Sequence, residues 1–294
     1  MPVTYFAGLD GSSPSRSAAR WAASHAARDG APLVLIHVID ARWASAGPSP
    51  SEEARRRGVA ALERESQLLA DQFPTLAIRT ELLVGDPVDE LADAASADDI
   101  LVVGTHKTGF LRGRALGTRG VQLAASVRSR LVVVPELSTA MRSSVVVGVD
   151  PDVIDGPAIL AAGAEACARH EPLTLVSSVA MPGVPGALAR AECADPATAH
   201  RALASAAELV EANLPSLEVV RKVSQRTAAE ALLDAGRTAS IIVLGSRYTP
   251  TGGVPIGTTT LEVLMNLTAP VLVVPDGPLT GPSALTPSGA RREG

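Results

Sequence analysis

The chain has 294 residues, 46% of them hydrophobic, with a net charge of −5 and a pI near 5.6. That length predicts about two domains, each large enough for its own core. The acidic balance excludes a nucleic-acid backbone as the main partner, and aromatics at 2% leave too few rings to stack unpaired bases.

No apolar run approaches the ~20 residues of a membrane span, and the N-terminus lacks the basic and apolar regions of a signal peptide. A cytoplasmic protein with no membrane partner is therefore expected. Cys167 and Cys193 form no CxxC pair and fit a reducing compartment as ordinary packed residues.

Short β-branched runs predict strands over 4–9, 33–39, 78–84, 100–104 and 131–134. Helical patterns fill the gaps over 15–28, 51–72, 88–95 and 118–126, with Pro14 and Pro87 near helix starts. Along 51–72, Glu52/Arg56 and Glu53/Arg57 are i,i+4 pairs on a solvated face. The order then repeats, with strands over 145–149, 173–179, 217–223, 240–245 and 271–274. Gly8, Asp10, Gly117 and Pro135 recur 140 positions later as Gly148, Asp150, Gly257 and Pro275.

The repeat is a tandem duplication, with domains over 1–138 and 143–276. A Pro-, Gly- and Ser-rich tail over 277–294 is expected to be disordered. Nearly continuous apolar strands alternating with helices predict two doubly wound α/β domains, each with a five-stranded parallel sheet. Ligands on such sheets sit where the winding changes direction, here between the first and fourth strands.

After the fourth strand, a loop carries Thr105, His106, Lys107, Gly109, Arg112, Gly113 and Arg114 before Gly117-Thr118 opens a helix, and Arg119 follows. Four certain cations and a helix N-terminus together suit an anion. The loop is neither a Walker sequence nor a Gly-x-Gly-x-x-Gly fingerprint. The corresponding loop in the second half, Gly245-Ser246-Arg247-Tyr248-Thr249-Pro250, is one residue shorter before Gly257-Thr258 and carries one cation, Arg247.

Gly104-x2-Lys107-x9-Gly117-Thr118 resembles the Gly-x-x-Gly-x9-Gly-Ser/Thr loop of ATP-binding universal stress proteins, with Lys107 standing at the second glycine. Gly8-Leu9-Asp10-Gly11-Ser12, Ile36-His37-Val38 and Gly85-Asp86-Pro87 are similar to that family's other signatures, and the resemblance spans both halves. It implies a Rossmann-like fold of the adenine nucleotide α-hydrolase type and a tandem, actinobacterial type of member. It also implies ATP with Gly8, Asp10, Val38 and Val103 on the adenine and ribose side. Gly104, His106, Gly117, Thr118, Arg119 and Gly120 would then meet the phosphates, mostly through backbone, and the loop cations Lys107 and Arg112 are expected to add charge to the same site. Any Mg²⁺ would be held through the nucleotide's own oxygens. The family's closing strands pair across a two-fold, which implies an internal pseudo-dimer; a homodimer of whole chains stays open.

The second half departs further, with Tyr248 at the second-glycine position and Pro151 after Asp150, and is expected to have lost its site. Ser12 and Ser13 read as helix caps and Asp98-Asp99 as a turn. His37 reads as a packed strand residue, and His25, His170 and His200 show no metal spacing. No catalytic constellation is visible. The expected function is ATP binding in the first domain, without turnover, in stress response. A nucleotide-free protein-interaction scaffold and a slow ATPase are the alternatives.

Overall fold

The computed structural model describes residues 3–40, 52–105, 118–136, 142–152, 154–179, 196–247 and 256–276. The first half runs β1(Tyr5–Gly8), α1(Ser13–Asp29), β2(Leu33–Asp40), α2(Glu52–Gln72), β3(Ile78–Gly85), α3(Pro87–Ala94), β4(Ile100–Thr105), α4(Thr118–Ser126) and β5(Arg130–Pro135). The second runs β6(Val145–Gly148), α5(Gly156–Arg169), β7(Leu173–Ser178), α6(Pro196–Asn213), β8(Val219–Ser224), α7(Ala228–Gly236), β9(Ile241–Arg247), α8(Thr258–Met265) and β10(Val271–Asp276).

These boundaries fall within about two residues of the sequence expectation. The strand expected from 217 begins at Val219 because the Leu217 N–H donates to the Leu214 carbonyl, closing a turn. Ser12 caps α1 by accepting from the Ser15 N–H, Pro14 sits in its first turn, and Gly30 ends it at φ +65°. The α1 face toward the sheet is Ala18, Ala19, Ala22, Ala23 and Ala26, all fully buried. Side chains this small bring the helix backbone close to the strands.

The ten strands of the described residues form one sheet, in the order β3-β2-β1-β4-β5-β10-β9-β6-β7-β8. Each half contributes five parallel strands, and the halves meet at an antiparallel pair that sets Leu131, Val132 and Val133 against Val273, Leu272 and Val271. These strands are apolar on both faces, so each needs cover on two sides and a partner along its edge. One core layer takes Val132, Val134, Leu272 and Val274; the other takes Leu131, Val133, Val271 and Val273. Each layer runs without a break through both halves.

The outer edges, β3 and β8, are exposed and carry Arg79, Glu81, Arg221 and Lys222. Charges on an open edge oppose further strand addition. Within each half, winding proceeds outward through the first three strands, then crosses back to place the fourth beside the first. The switch points are therefore β1/β4 and β6/β9.

Candidate functional site

Three elements converge at the first switch point. β1 ends at Gly8, whose absent side chain leaves room for Leu91 of α3 and Val103 of β4; a Cβ there would stand 3.3 Å and 3.4 Å from their methyls. Beyond it the Leu9 N–H donates to the Ile36 carbonyl at 2.7 Å, and His37 Nδ1 donates to the Leu9 carbonyl at 2.7 Å. His37 is thus packed, as its place in an apolar strand suggested, but it also fixes the peptide that carries Asp10. A Cβ on Gly58 of α2 would lie 2.9 Å from the His37 ring, so that glycine makes the room.

Asp10 opens toward solvent. Its Oδ1 accepts from the Ser12 N–H at 2.9 Å, and the Asp10 N–H donates to Ser15 Oγ at 3.4 Å. Partial burial opposes ionisation. Hydrogen bonds from Ser12 and Ser15 and the charge of Arg119 outweigh it and hold the carboxyl below its ordinary range. Arg119 lies in the first turn of α4, and its charge favours the anionic form of Asp10.

Gly104, at the end of β4, has a structural task of its own. A Cβ there would overlap the Pro14 carbonyl and stand 2.6 Å from the Ser15 nitrogen. The first turn of α1 is laid directly on the strand end. Gly120 lets α4 approach β5, its missing Cβ facing Val133 at 3.4 Å. The leading N–H groups of α4, on Thr118, Arg119 and Gly120, have no intrahelical acceptors. Val103 is buried beside Gly8, and Val38 is half-buried on β2, in register with Leu83. His106, Lys107, Arg112 and Gly117 lie outside the described residues. A polar groove of about 370 Å³ continues from Arg119 between α3 and α4, past Asp86, Asp89, Gln122 and Ser126.

The second switch point is built differently. Four residues separate Asp150 from the helix cap Asp155, where Gly11 alone separates Asp10 from Ser12. Asp155 caps α5 by accepting from the Ala158 N–H at 3.1 Å. Its carboxylate lies over the end of β9, where a Cβ on Gly245 would be 2.6 Å from Asp155 Cγ and would overlap Oδ2. The second crevice therefore holds a carboxylate where the first holds the backbone of α1. Sequence reading missed this because the caps Ser12 and Asp155 are offset by the longer loop. Asp98-Asp99 form the turn expected of them. Asp99 accepts from the Thr4 and Ser96 N–H groups and so closes a turn. Among the described residues no group of three or more His, Cys, Asp or Glu is placed to hold a metal, and no helix is long and apolar enough to cross a membrane.

A doubly wound sheet with a glycine-lined crevice at its switch point defines an α/β protein of the Rossmann-like class. The model of the universal stress protein family matches residues 6–135 and again 141–275, and the chain belongs to that family. It is 26% identical over 288 residues to a universal stress protein of Mycobacterium tuberculosis, covering 90% of this chain and 95% of that one. It is 28% identical over 286 residues to one of Mycolicibacterium smegmatis, covering 91% and 95%. The crystal structure of a universal stress protein from Archaeoglobus fulgidus superposes with a TM-score of 0.74 at 15% identity, over 93% of this chain and 98% of that one. That likeness concerns the fold.

Proposed function

We propose that the domain over 1–138 binds ATP at the β1/β4 switch point, and that the protein is a cytoplasmic stress-response factor acting by nucleotide-dependent binding rather than turnover. The observation that carries this reading is Asp10, kept ionised at the end of β1 by hydrogen bonds from Ser12 and Ser15 and within reach of the charge of Arg119 at the N-terminus of α4. Asp10 is an acceptor suited to ribose or base donors. Arg119 and the leading α4 N–H groups are suited to phosphate. Gly104 supports the site by seating α1 against β4, whether or not it also meets phosphate.

The loop cations Lys107 and Arg112, with His106, Gly117 and Thr118, would complete the phosphate cradle. Magnesium would be held through phosphate oxygens. The domain over 143–276 is assigned no nucleotide, because Asp155 places negative charge at its crevice.

Calorimetry with ATP, ADP and AMP tests this. We expect about one nucleotide per chain, and weakening by tenfold or more, at least about 1.4 kcal/mol, for Arg119→Glu or Gly117→Glu. Absence of heat with all three nucleotides would overturn the reading in favour of a protein-binding scaffold. Steady release of ADP lost in Gly117→Glu would instead make the protein an ATPase.

A further inference from the structure

The C-terminal ends of α1 and α5 meet beside the β5/β10 pair and are joined by a chain of polar contacts. Tyr5 Oη donates to Asp29 at 2.5 Å, and Asp29 accepts from Arg28 Nε at 2.6 Å. Arg28 Nη2 reaches Glu165 of the other half at 3.5 Å, and Glu165 accepts from Arg169 Nε at 3.1 Å. Arg169 Nη2 then returns across the seam to His25 Nε2 at 2.6 Å. His25 Nδ1 lies 2.7 Å from the Trp21 carbonyl, and its ring stacks on the Trp21 indole at 3.6 Å.

The geometry fixes the protonation state of this ring. A carbonyl only accepts, so Nδ1 carries the hydrogen; a guanidinium only donates, so Nε2 presents its lone pair. His25 must be neutral to make both bonds. A proton on Nε2 would set a donor and a positive charge against Arg169.

We propose that the seam between the two halves is an acid-sensitive latch, closed by the Arg169–His25 contact while the imidazole is neutral and opened when Nε2 takes a proton. The charged groups around His25 are Arg28 and Asp29 of α1 with Glu165 and Arg169 of α5, and Tyr5 of β1 ends the chain. The other strands beneath contribute apolar side chains, among them Ile100, Val102, Val132, Val134 and Leu272. On α2, Glu65 answers to Arg16, Arg20 and Arg64 instead.

Burial first, then the charge of Arg169, depresses His25 from 6.5 to about 4, against the Trp21 carbonyl and Glu165, which favour the charged ring. Because the folded value is the lower one, the unfolded chain binds more protons between the two. The latch is fully present above pH 6.5 and is lost as pH falls toward 4.

Trp21 reports on the latch directly, because a stacked imidazolium quenches indole emission. In full-length Trp43→Phe protein, which leaves Trp21 as the single tryptophan, emission is expected to fall with a midpoint near pH 4. His25→Gln should abolish that step, and Arg169→Met should move it up toward 6.5. Amide protection at the C-terminal ends of α1 and α5 should fall over the same interval in the parent alone. A parent midpoint at 6.5, or one indifferent to Arg169→Met, overturns the proposal. Should acid unfold the chain first, His25→Gln must shift that unfolding to lower pH, and an unchanged unfolding midpoint is equally fatal.

Discussion

Replacing Gly104 by valine is expected to destabilise the protein by about 3 kcal/mol, near the top of the range for overpacking a tight contact, and to remove with it the nucleotide binding proposed for the first domain. The atoms in the way are backbone: the Pro14 carbonyl and the Ser15 nitrogen. No rotamer change relieves such a clash, so the N-terminus of α1 must lift from β4, and Ser12 and Ser15 leave Asp10 as it goes. Gly245→Val makes the informative control. Its obstacle is the Asp155 side chain, which can swing out at roughly the ~1 kcal/mol cost of a lost helix cap. Urea titration of both variants reads the difference; equal losses would mean that α1 does not rest on Gly104.

Glu165→Ala should have the second large effect, about 3 kcal/mol. Among the described residues, Glu165 is the carboxylate that bridges Arg28 and Arg169, and its side chain is 15% exposed against 27% and 15% for theirs. Removing it leaves Arg169 without its carboxylate and Arg28 with Asp29 alone, two guanidiniums across a half-buried seam. The loss should persist at high salt, since partly buried pairs are screened far less than surface ones. A change below about 0.5 kcal/mol, the scale of an ordinary surface substitution, would show that the β5/β10 pairing holds the halves together without the polar chain.

The fold was legible because its signals are local. Valine and leucine runs mark β4, β5, β9 and β10, while Ser12-Ser13-Pro14 and Asp86-Pro87 mark helix starts. The recurrence of Gly8, Asp10 and Pro135 announced the second half. The Gly-x-Asp and glycine endings of the first and fourth strands pointed to the crevice between them, and with it to the neighbourhood of Asp10 and Gly104.

What stayed hidden depends on distance in sequence or on loop length. His25 and Arg169 are separated by 144 positions and match no motif, so His25 could be read only as an isolated histidine. Gly104 carries the family's phosphate signature, and nothing in that signature tells of the Pro14 carbonyl above it. Asp155 hides for a third reason: the longer loop moves the cap out of alignment with Ser12, so a position-by-position comparison sets Asp152 opposite Ser12 instead.

The antiparallel joining of β5 to β10 reaches beyond stability. Each closing strand is hydrogen-bonded along its inner edge to the other half of the same chain, so neither is left to recruit a second copy, and the remaining edges are guarded by charge. Two separate polypeptides meeting this way would sort among themselves into like and unlike pairs. Covalent tandem linkage removes that lottery. A crevice bearing Asp10 and Arg119 is always matched with one bearing Asp155, in fixed one-to-one proportion, whatever the amount of protein in the cell.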